Sequence, residues 1–311
     1  MEAVIHKIAV MFIMMAIGFL LGKIGIINNE SNKLLSSLSL FVVSPLLSFV
    51  SYQRDFSPSI AKNLLWTVGL CLVLYALQIA VVYVLVPKRH RNSSLERMSL
   101  IFSNCGYIGI PLVQSLFGTD GIIYITMVIA VFYTFVWTVG ASLMSGERMS
   151  FVKILRNLCT PAIIAVVVGI VFFVLRIKLP GVILEPLSDI GNMNTPLAML
   201  IAGSTLAGTN IVRCIANFRV YLLSAIRLIL LPVLCAGVLF FASLIGVSET
   251  VLTVVLIAMA CPTAVVATMF AHRYHADSVY ASEIFAITTL LSAATIPLIM
   301  WIGSLMGISA V

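Results

Sequence analysis

The chain has 311 residues, of which 61% are hydrophobic and only 9% charged, against ~45–50% apolar and ~25% charged in a soluble globular domain. That leaves too little polar surface to cover a water-facing particle, and repeated runs of about 20 apolar residues mark an all-α polytopic membrane protein. The formal net charge of +7 does not indicate nucleic acid, because the basic residues are spread through short connectors rather than gathered on one element.

The opening stretch, "MEAVIHKIAVMFIMMAIGFLLGK", lacks a small-x-small cleavage site and is as long as a membrane span. It reads as a first helix over 3–22 and not as a removed signal peptide. Apolar runs then predict helices over 32–52, 63–86, 96–117, 121–145, 151–175, 186–208, 219–246, 250–272 and 282–307. The connectors are short and charged, such as "QRDFSPSIAKN", "PKRHRNSSLER" and "GERMS", and none is long enough to fold alone. The cysteines at 71, 105, 159, 214, 235 and 261 include no C-x-x-C pair and read as small apolar packing residues. The spacing of "GFLLG" in the first helix predicts tight helix packing.

Ten crossings place the basic residues on two sides. Lys7, Arg54, Lys62, Arg176 and Lys178 share the side of the N-terminus. Lys23, Lys33, Lys88, Arg89, Arg91, Arg97, Arg148, Lys153, Arg156, Arg213, Arg219 and Arg273 fall on the other. The positive-inside rule puts the second group in the cytoplasm, with both termini outside the cell membrane.

Shifting the chain by 151 residues sets Gly18 on Gly169, "SPL" (44–46) on "TPL" (195–197) and Pro111 on Pro262. Two units, 1–150 and 151–311, would then hold five helices each. An odd count makes the second enter from the opposite face, so the repeat is inverted, a construction of secondary transporters whose substrate site lies near the midplane.

The candidate site follows from the helix-breaking residues. Gly106, Gly109 and Pro111 in the fourth helix, and Pro262 between Cys261 and Thr263 in the ninth, predict unwound backbone at matching places. Such backbone is tolerated in a bilayer only where it is buried in protein or lines a cavity. The second half of a broken helix exposes unpaired N–H groups and a positive dipole end, which favour an anion. Asn104 lies just before the first predicted break as a polar ligand; its bland role is gluing two helices, worth about 0.6 kcal/mol. Thr263 and Cys261 are its counterparts in the ninth helix. Arg227 is the one basic residue clearly within a span, where a charge costs at least about 2.5–3.5 kcal/mol. It has two readings: a counter-charge to a carboxylate substrate or a titrating acid, or a side chain snorkelling to the interface. Asp189 and Glu283 near helix starts complement the dipole. Ser44, Asn192, Asn194 and Thr195 either line a second wall or satisfy carbonyls freed by Pro45 and Pro196, with the second reading preferred. His272 and His275 have no partner at metal spacing, and no metal or cofactor is expected.

In order and spacing, "SNCGYIGIPLVQSLFG", "PLSDIGNMNTPLAMLIAGSTLAG", "RLILLPVL" and "MACPTAVVATMFAHRY" resemble bacterial members of the auxin efflux carrier family, which includes the plant PIN proteins and permeases for malate or malonate. The resemblance covers essentially the whole chain. It implies ten helices in two inverted five-helix repeats, a scaffold domain from helices one, two, six and seven, and a transport domain from helices three to five and eight to ten. It also implies crossing of the broken fourth and ninth helices, elevator-type movement of an organic anion, and a homodimer. The crossing region maps onto Asn104, Cys105, Gly106, Gly109 and Pro111, and onto Cys261, Pro262 and Thr263. The chain departs from the plant proteins in its third helix, where an acid and a lysine are replaced by Gln78 as the one strong polar group. It also lacks their long central loop.

The leading reading is a secondary transporter of a small carboxylate or dicarboxylate in the lipid bilayer. The alternative is an anion-binding membrane sensor or channel-like protein without alternating access. An enzyme ranks last, for want of G-x-S-x-G, H-E-x-x-H or paired intramembrane acids. No nucleotide-binding loop supports ATP-driven pumping, and proton coupling, sodium coupling and uniport all stay open.

Overall fold

A computed structural model describes residues 2–88, 92–146, 159–209 and 217–308. Arg89, Arg91, Arg148, Lys153, Arg156, Arg213, Cys214 and the expected start of the sixth helix lie outside the described residues. Those described form helices and connectors with no strand. Among the described residues six helices are long and apolar enough to cross a membrane: Glu2–Lys23, Asn29–Ser51, Pro58–Leu85, Cys105–Ser145, Phe218–Leu244 and Ser278–Leu305. Pro161–Val174 and Glu249–Ala260 are shorter apolar helices.

In chain order the helices are α1 (Glu2–Lys23), α2 (Asn29–Leu38), α3 (Ser44–Ser51), α4 (Pro58–Leu85), α5 (Ser93–Ile101), α6 (Ile110–Phe135), α7 (Ala141–Ser145) and α8 (Pro161–Val174). There follow α9 (Gly181–Asn192), α10 (Asn194–Ala207), α11 (Phe218–Ala225), α12 (Leu231–Leu244), α13 (Glu249–Ala260), α14 (Val265–Arg273) and α15 (Ser278–Leu305). Their starts carry the expected chemistry. Asn28 accepts from the N–H groups of Glu30 and Ser31 at 3.0 and 2.9 Å, and Asp277 accepts from Tyr280 N at 3.0 Å. Pro58 and Pro161 occupy first turns, where a missing N–H costs nothing.

Three π turns widen these helices at Ser39–Val43, Cys105–Gly109 and Ile226–Leu230. Each is centred on the residue four before a proline, respectively Pro45, Pro111 and Pro232. A proline cannot donate to that carbonyl, and its ring presses against it. The residue just before each proline bonds one step further back instead: Ser44 N to Ser39 O, Ile110 N to Cys105 O and Leu231 N to Ile226 O. Helix continuity thus survives at the cost of one wide turn. A fourth π turn, Val136–Gly140, precedes no proline.

Gly118, within α6, has φ 56° and ψ −142°, a conformation open to glycine and strained for other residues. The chain folds back there. A Cβ on Gly121 would fall 2.6 Å from Val113 Cγ1, whereas a straight helix would hold the two residues ~12 Å apart along its axis.

Glycines set the closest helix contacts. A Cβ at Gly18 would lie 2.5 Å from Leu200 O, one at Gly22 would lie 2.7 Å from Ala207 Cβ, and one at Gly203 would lie 1.9 Å from Met15 O. The "GFLLG" spacing therefore packs α1 backbone to backbone on α10, in the small-residue mode of membrane helices. A Cβ at Gly169 in α8 would lie 2.7 Å from Tyr52, just past α3, and one at Gly191 in α9 would lie 3.0 Å from Leu47 in α3. Gly18 and Gly169, matched in the sequence, are thus each the point where an apolar helix leans on the other half of the chain.

Polar contacts tie the connectors into two clusters. Arg54 bonds Asp120 Oδ1 at 3.0 Å and Thr119 O at 2.9 Å, Lys178 pairs with Asp55, and Leu179 N donates to Gln53 Oε1 at 2.9 Å. The bond to Lys178 and its charge hold the exposed Asp55 carboxyl below its usual range. In the other cluster, Arg219 holds Glu96 at 3.1 and 2.7 Å, Tyr280 Oη donates to Glu96 Oε1 at 2.9 Å, and Asn217 Nδ2 reaches Glu283 Oε2 at 3.4 Å. Apolar side chains between the clusters face outward, with Leu65 at 75% and Val84 at 79% exposure, as lipid contact requires.

Gly203→Val should destabilise the detergent-solubilised protein by about 1–3 kcal/mol or more, through overpacking against Met15. Gly237→Ala, where a Cβ meets nothing within 4 Å, should leave the melting temperature unchanged or raised. Intrinsic-fluorescence melts of both variants check the contrast.

Candidate functional site

Two helices are interrupted inside the protein, and the interruptions pair with each other. Helix α5 ends at Phe102, which is extended at φ −98° and ψ 118°, and Asn104 at φ −80° and ψ 49° begins the next turn. Helix α13 ends at Cys261, extended at φ −60° and ψ 149°, and Ala264 at φ −69° and ψ 141° precedes α14. Pro262 explains the second interruption, since a proline disfavours helical backbone at the residue before it. The first contains no proline. It is held open by its partner: Asn104 N donates to Pro262 O at 2.7 Å and Ala264 N to Phe102 O at 2.9 Å, an antiparallel bridge of Ser103 with Thr263.

This corrects the expected places of the breaks. Gly106 and Gly109 lie in a wound π turn and Pro111 in the first turn of α6; the unwound residues are Phe102 to Asn104. Pro111 and Pro262, matched at a 151-residue shift, are not in equivalent places, because only Pro262 lies within an interruption.

Several carbonyls at the ends of α5 and α13 find side-chain donors, as buried backbone requires. Thr263 Oγ1 donates to Ser99 O at 2.9 Å. Arg227, fully buried, uses the rest of the site. Its Nε donates to Cys261 O at 3.1 Å, Nη1 to Leu100 O at 3.0 Å and at 3.5 Å to Gln78 Oε1. Its Nη2 donates to Met259 O at 3.0 Å and to Cys261 O at 2.9 Å. All five N–H groups of the guanidinium have acceptors. Arg227 therefore does not snorkel: it is turned inward from its π turn and clamps the ends of α5 and α13. Gln78, visible in the sequence only as the third helix's strong polar group, holds Arg227 through its oxygen. Its Nε2 contacts Met259 Sδ at 3.1 Å and Cys235 Sγ at 3.3 Å.

The starts of the second halves are built differently. Neither Asn104 nor Ala264 caps the following turn with its side chain. Asn104 is buried and its Nδ2 has no hydrogen-bond partner. A Cβ on Gly106 would meet nothing within 4 Å, so there is open space beside it. Gly109 allows close approach between the two segments, with Cys261 Sγ 3.4 Å and Cys105 Cβ 3.3 Å from where its Cβ would stand. Cys105 and Cys261 are buried thiols. Thr263 N donates to Thr288 Oγ1 at 3.3 Å, a partner the sequence did not single out.

The Cys105–Gly109 turn faces α10, where Tyr107 packs on Val43, Leu197 and Ile201. Alongside, Thr195 Oγ1 donates to Gln114 Oε1 at 2.9 Å, and Gln114 Nε2 to Asn192 Oδ1 at 3.2 Å. Ser44 Oγ donates to Asn194 Oδ1 at 2.8 Å, leaving the buried Asn194 Nδ2 without a partner. Ser44 and Thr195 thus bond side chains across helices rather than the carbonyls freed by Pro45 and Pro196. Away from the crossing, Asn92, Glu96, Arg219, His275, Asp277 and Tyr280 line an open cleft of about 730 Å³, where Glu96 is already engaged by Arg219 and Tyr280.

Long apolar helices, outward-facing apolar side chains and backbone interruptions bridged to each other define a multi-pass helical membrane protein. Residues 3–300 match the family described as membrane transport protein, and the chain belongs to it; this is the auxin efflux carrier family that its motifs resemble. The chain is 25% identical to an uncharacterized transporter of Methanothermobacter thermautotrophicus, over 92% of this chain and 94% of that one. It is 23% identical to an uncharacterized transporter of Methanocaldococcus jannaschii, over 95% and 97%.

Thr263→Val removes the hydroxyl that satisfies Ser99 O while keeping the side chain's shape. It should cost about 1–3 kcal/mol of stability, the penalty for an unsatisfied buried acceptor, and Thr263→Ser should recover most of it. Thermal melts of the three proteins in one detergent measure the difference.

Proposed function

We propose that the protein is a secondary carrier of a small organic anion, a carboxylate or dicarboxylate, working by elevator-type alternating access in the cell membrane. The observation that carries this reading is the crossing itself. Carbonyls at the ends of α5 and α13 are engaged by Arg227 and Thr263, whereas the amide ends that follow begin without a side-chain cap, beside an unpartnered Asn104 amide and open space at Gly106. Amide ends and a free amide donor suit a negative charge. Asn104, Cys105, Gly106, Gly109 and Pro111 form one side of the site and Cys261, Pro262 and Thr263 the other. Arg227 sets the crossing and adds positive potential rather than a direct bond.

In this reading the six long helices, the fold-back at Gly118, the two shorter apolar helices and the α9–α10 pair make ten crossings in two inverted units, 1–150 and 151–311. The mutual packing of α1 on α10 and of α8 on α3 supports a scaffold built from both halves. The helices bearing the interruptions form the moving body, and the Tyr107 and Gln114 contacts with α10 are the sliding surface. The cluster around Arg54 and Lys178 lies outside the cell, with both termini. The cluster around Glu96 and Arg219 faces the cytoplasm, following the positive-inside rule.

Purified protein in liposomes, screened with mono- and dicarboxylates under imposed pH or sodium gradients, should show saturable counterflow with at least one anion. Asn104→Ala should weaken apparent affinity by roughly ten- to hundredfold, the value of one hydrogen bond to a charged group, while the protein stays folded. Gly106→Val should block flux by filling the open space. Conductance without exchange would replace the carrier reading with a channel, and native flux in Asn104→Ala would remove that residue from the site.

A further inference from the structure

The guanidinium of Arg227 stands in a cage of oxygens. Leu100 O lies at the end of α5, Met259 O and Cys261 O at the end of α13, and Gln78 Oε1 closes the set. Helix carbonyl ends each carry about half a negative charge. Two of them together present roughly one negative charge, which one permanently protonated arginine offsets. Unwound carbonyls and half-helix C-terminal ends are also where secondary transporters coordinate a coupling sodium ion, a hard cation that takes oxygen ligands as calcium and magnesium do.

We infer that Arg227 is a tethered cation standing where a coupling sodium ion would be ligated, so that the transport cycle uses no sodium at the helix crossing. This rests on the carrier reading and specifies its energetics. The oxygens a sodium ion would need are already taken by the five N–H groups. The charge such an ion would neutralise is already neutralised. The cation cannot dissociate, because it is covalently part of the Ile226–Leu230 π turn that Pro232 imposes. Gln78 contributes an oxygen without a charge, so no second cation is called for. An acidic residue at that position would leave a net negative charge in the cage.

Sodium binding can be read without any substrate, by melting the detergent-solubilised protein in sodium, potassium and choline chloride at one ionic strength. The native protein should melt at the same temperature in all three. Arg227→Ala opens the cage and should melt at a higher temperature in sodium than in potassium, or be recovered folded in sodium alone. Arg227→Lys retains a cation and should show no sodium preference. A sodium-specific rise in the native protein, or native flux driven by a sodium gradient, would overturn the inference. So would a folded Arg227→Ala protein indifferent to sodium. If Arg227→Ala unfolds in every salt, the native melts and the sodium-gradient flux decide. An absence of flux with every anion tested would count against the proposed function, whereas the sodium melts would still decide the role of Arg227.

Discussion

Backbone amides and carbonyls in a bilayer have no water to fall back on, and each one left unpaired in hydrocarbon costs several kcal/mol. The centre of this protein is organised by that constraint. It contains two stretches of extended chain, Phe102–Asn104 and Cys261–Ala264, neither of which could stand alone in a membrane. Together they can, because Asn104 N and Ala264 N each find a carbonyl of the opposite stretch. Neighbouring carbonyls of Leu100, Met259, Cys261 and Ser99 go to Arg227 and Thr263. The burial of a full charge is explained the same way: an arginine here is the side chain with enough donors to serve three carbonyls and an amide at once.

Proline placement supplies the second layer of the design. Pro45, Pro111 and Pro232 all sit in continuing helices, and each is accommodated by one wide turn rather than a break. Of these four prolines, Pro262 alone coincides with unwound chain. The difference lies in what is available nearby. At Pro262 the freed carbonyls meet the donors of Arg227 and of Asn104; at the other three the residue before the proline reaches one carbonyl further back. A proline in a membrane helix therefore predicts a local backbone problem without predicting its solution.

That distinction marks how much was legible beforehand. The spans could be read because length and hydropathy are one-dimensional properties, and the expected helices overlap the observed ones along the described chain. The packing role of "GFLLG" was legible because small residues four apart admit few other uses. The position of the first interruption was not, because nothing in Phe102, Ser103 or Asn104 breaks a helix. It is opened by Pro262, distant in sequence. Arg227 was identifiable as an anomaly, yet its partners are main-chain oxygens, which no residue name reveals. Gln78 showed only as a polar residue in an apolar run, and Thr288 and Ser99 gave no signal at all.

The two kinds of helix end at the paired interruptions are treated oppositely, and the consequence is electrostatic. The carbonyl ends are held by a fixed positive charge, so their half-charges are cancelled inside the protein. The amide ends receive no compensating acid among the described residues that line them: Asn104, Cys105, Gly106, Ala264 and Val265 are all neutral. A crossing of two helices would by itself be a quadrupole with both poles available to ions. Adding Arg227 to one pair of poles leaves the other pair as the uncompensated field, in surroundings where low dielectric strengthens every such interaction. The sign of that remaining field is positive, and it follows from a residue that bonds only the opposite, carbonyl ends.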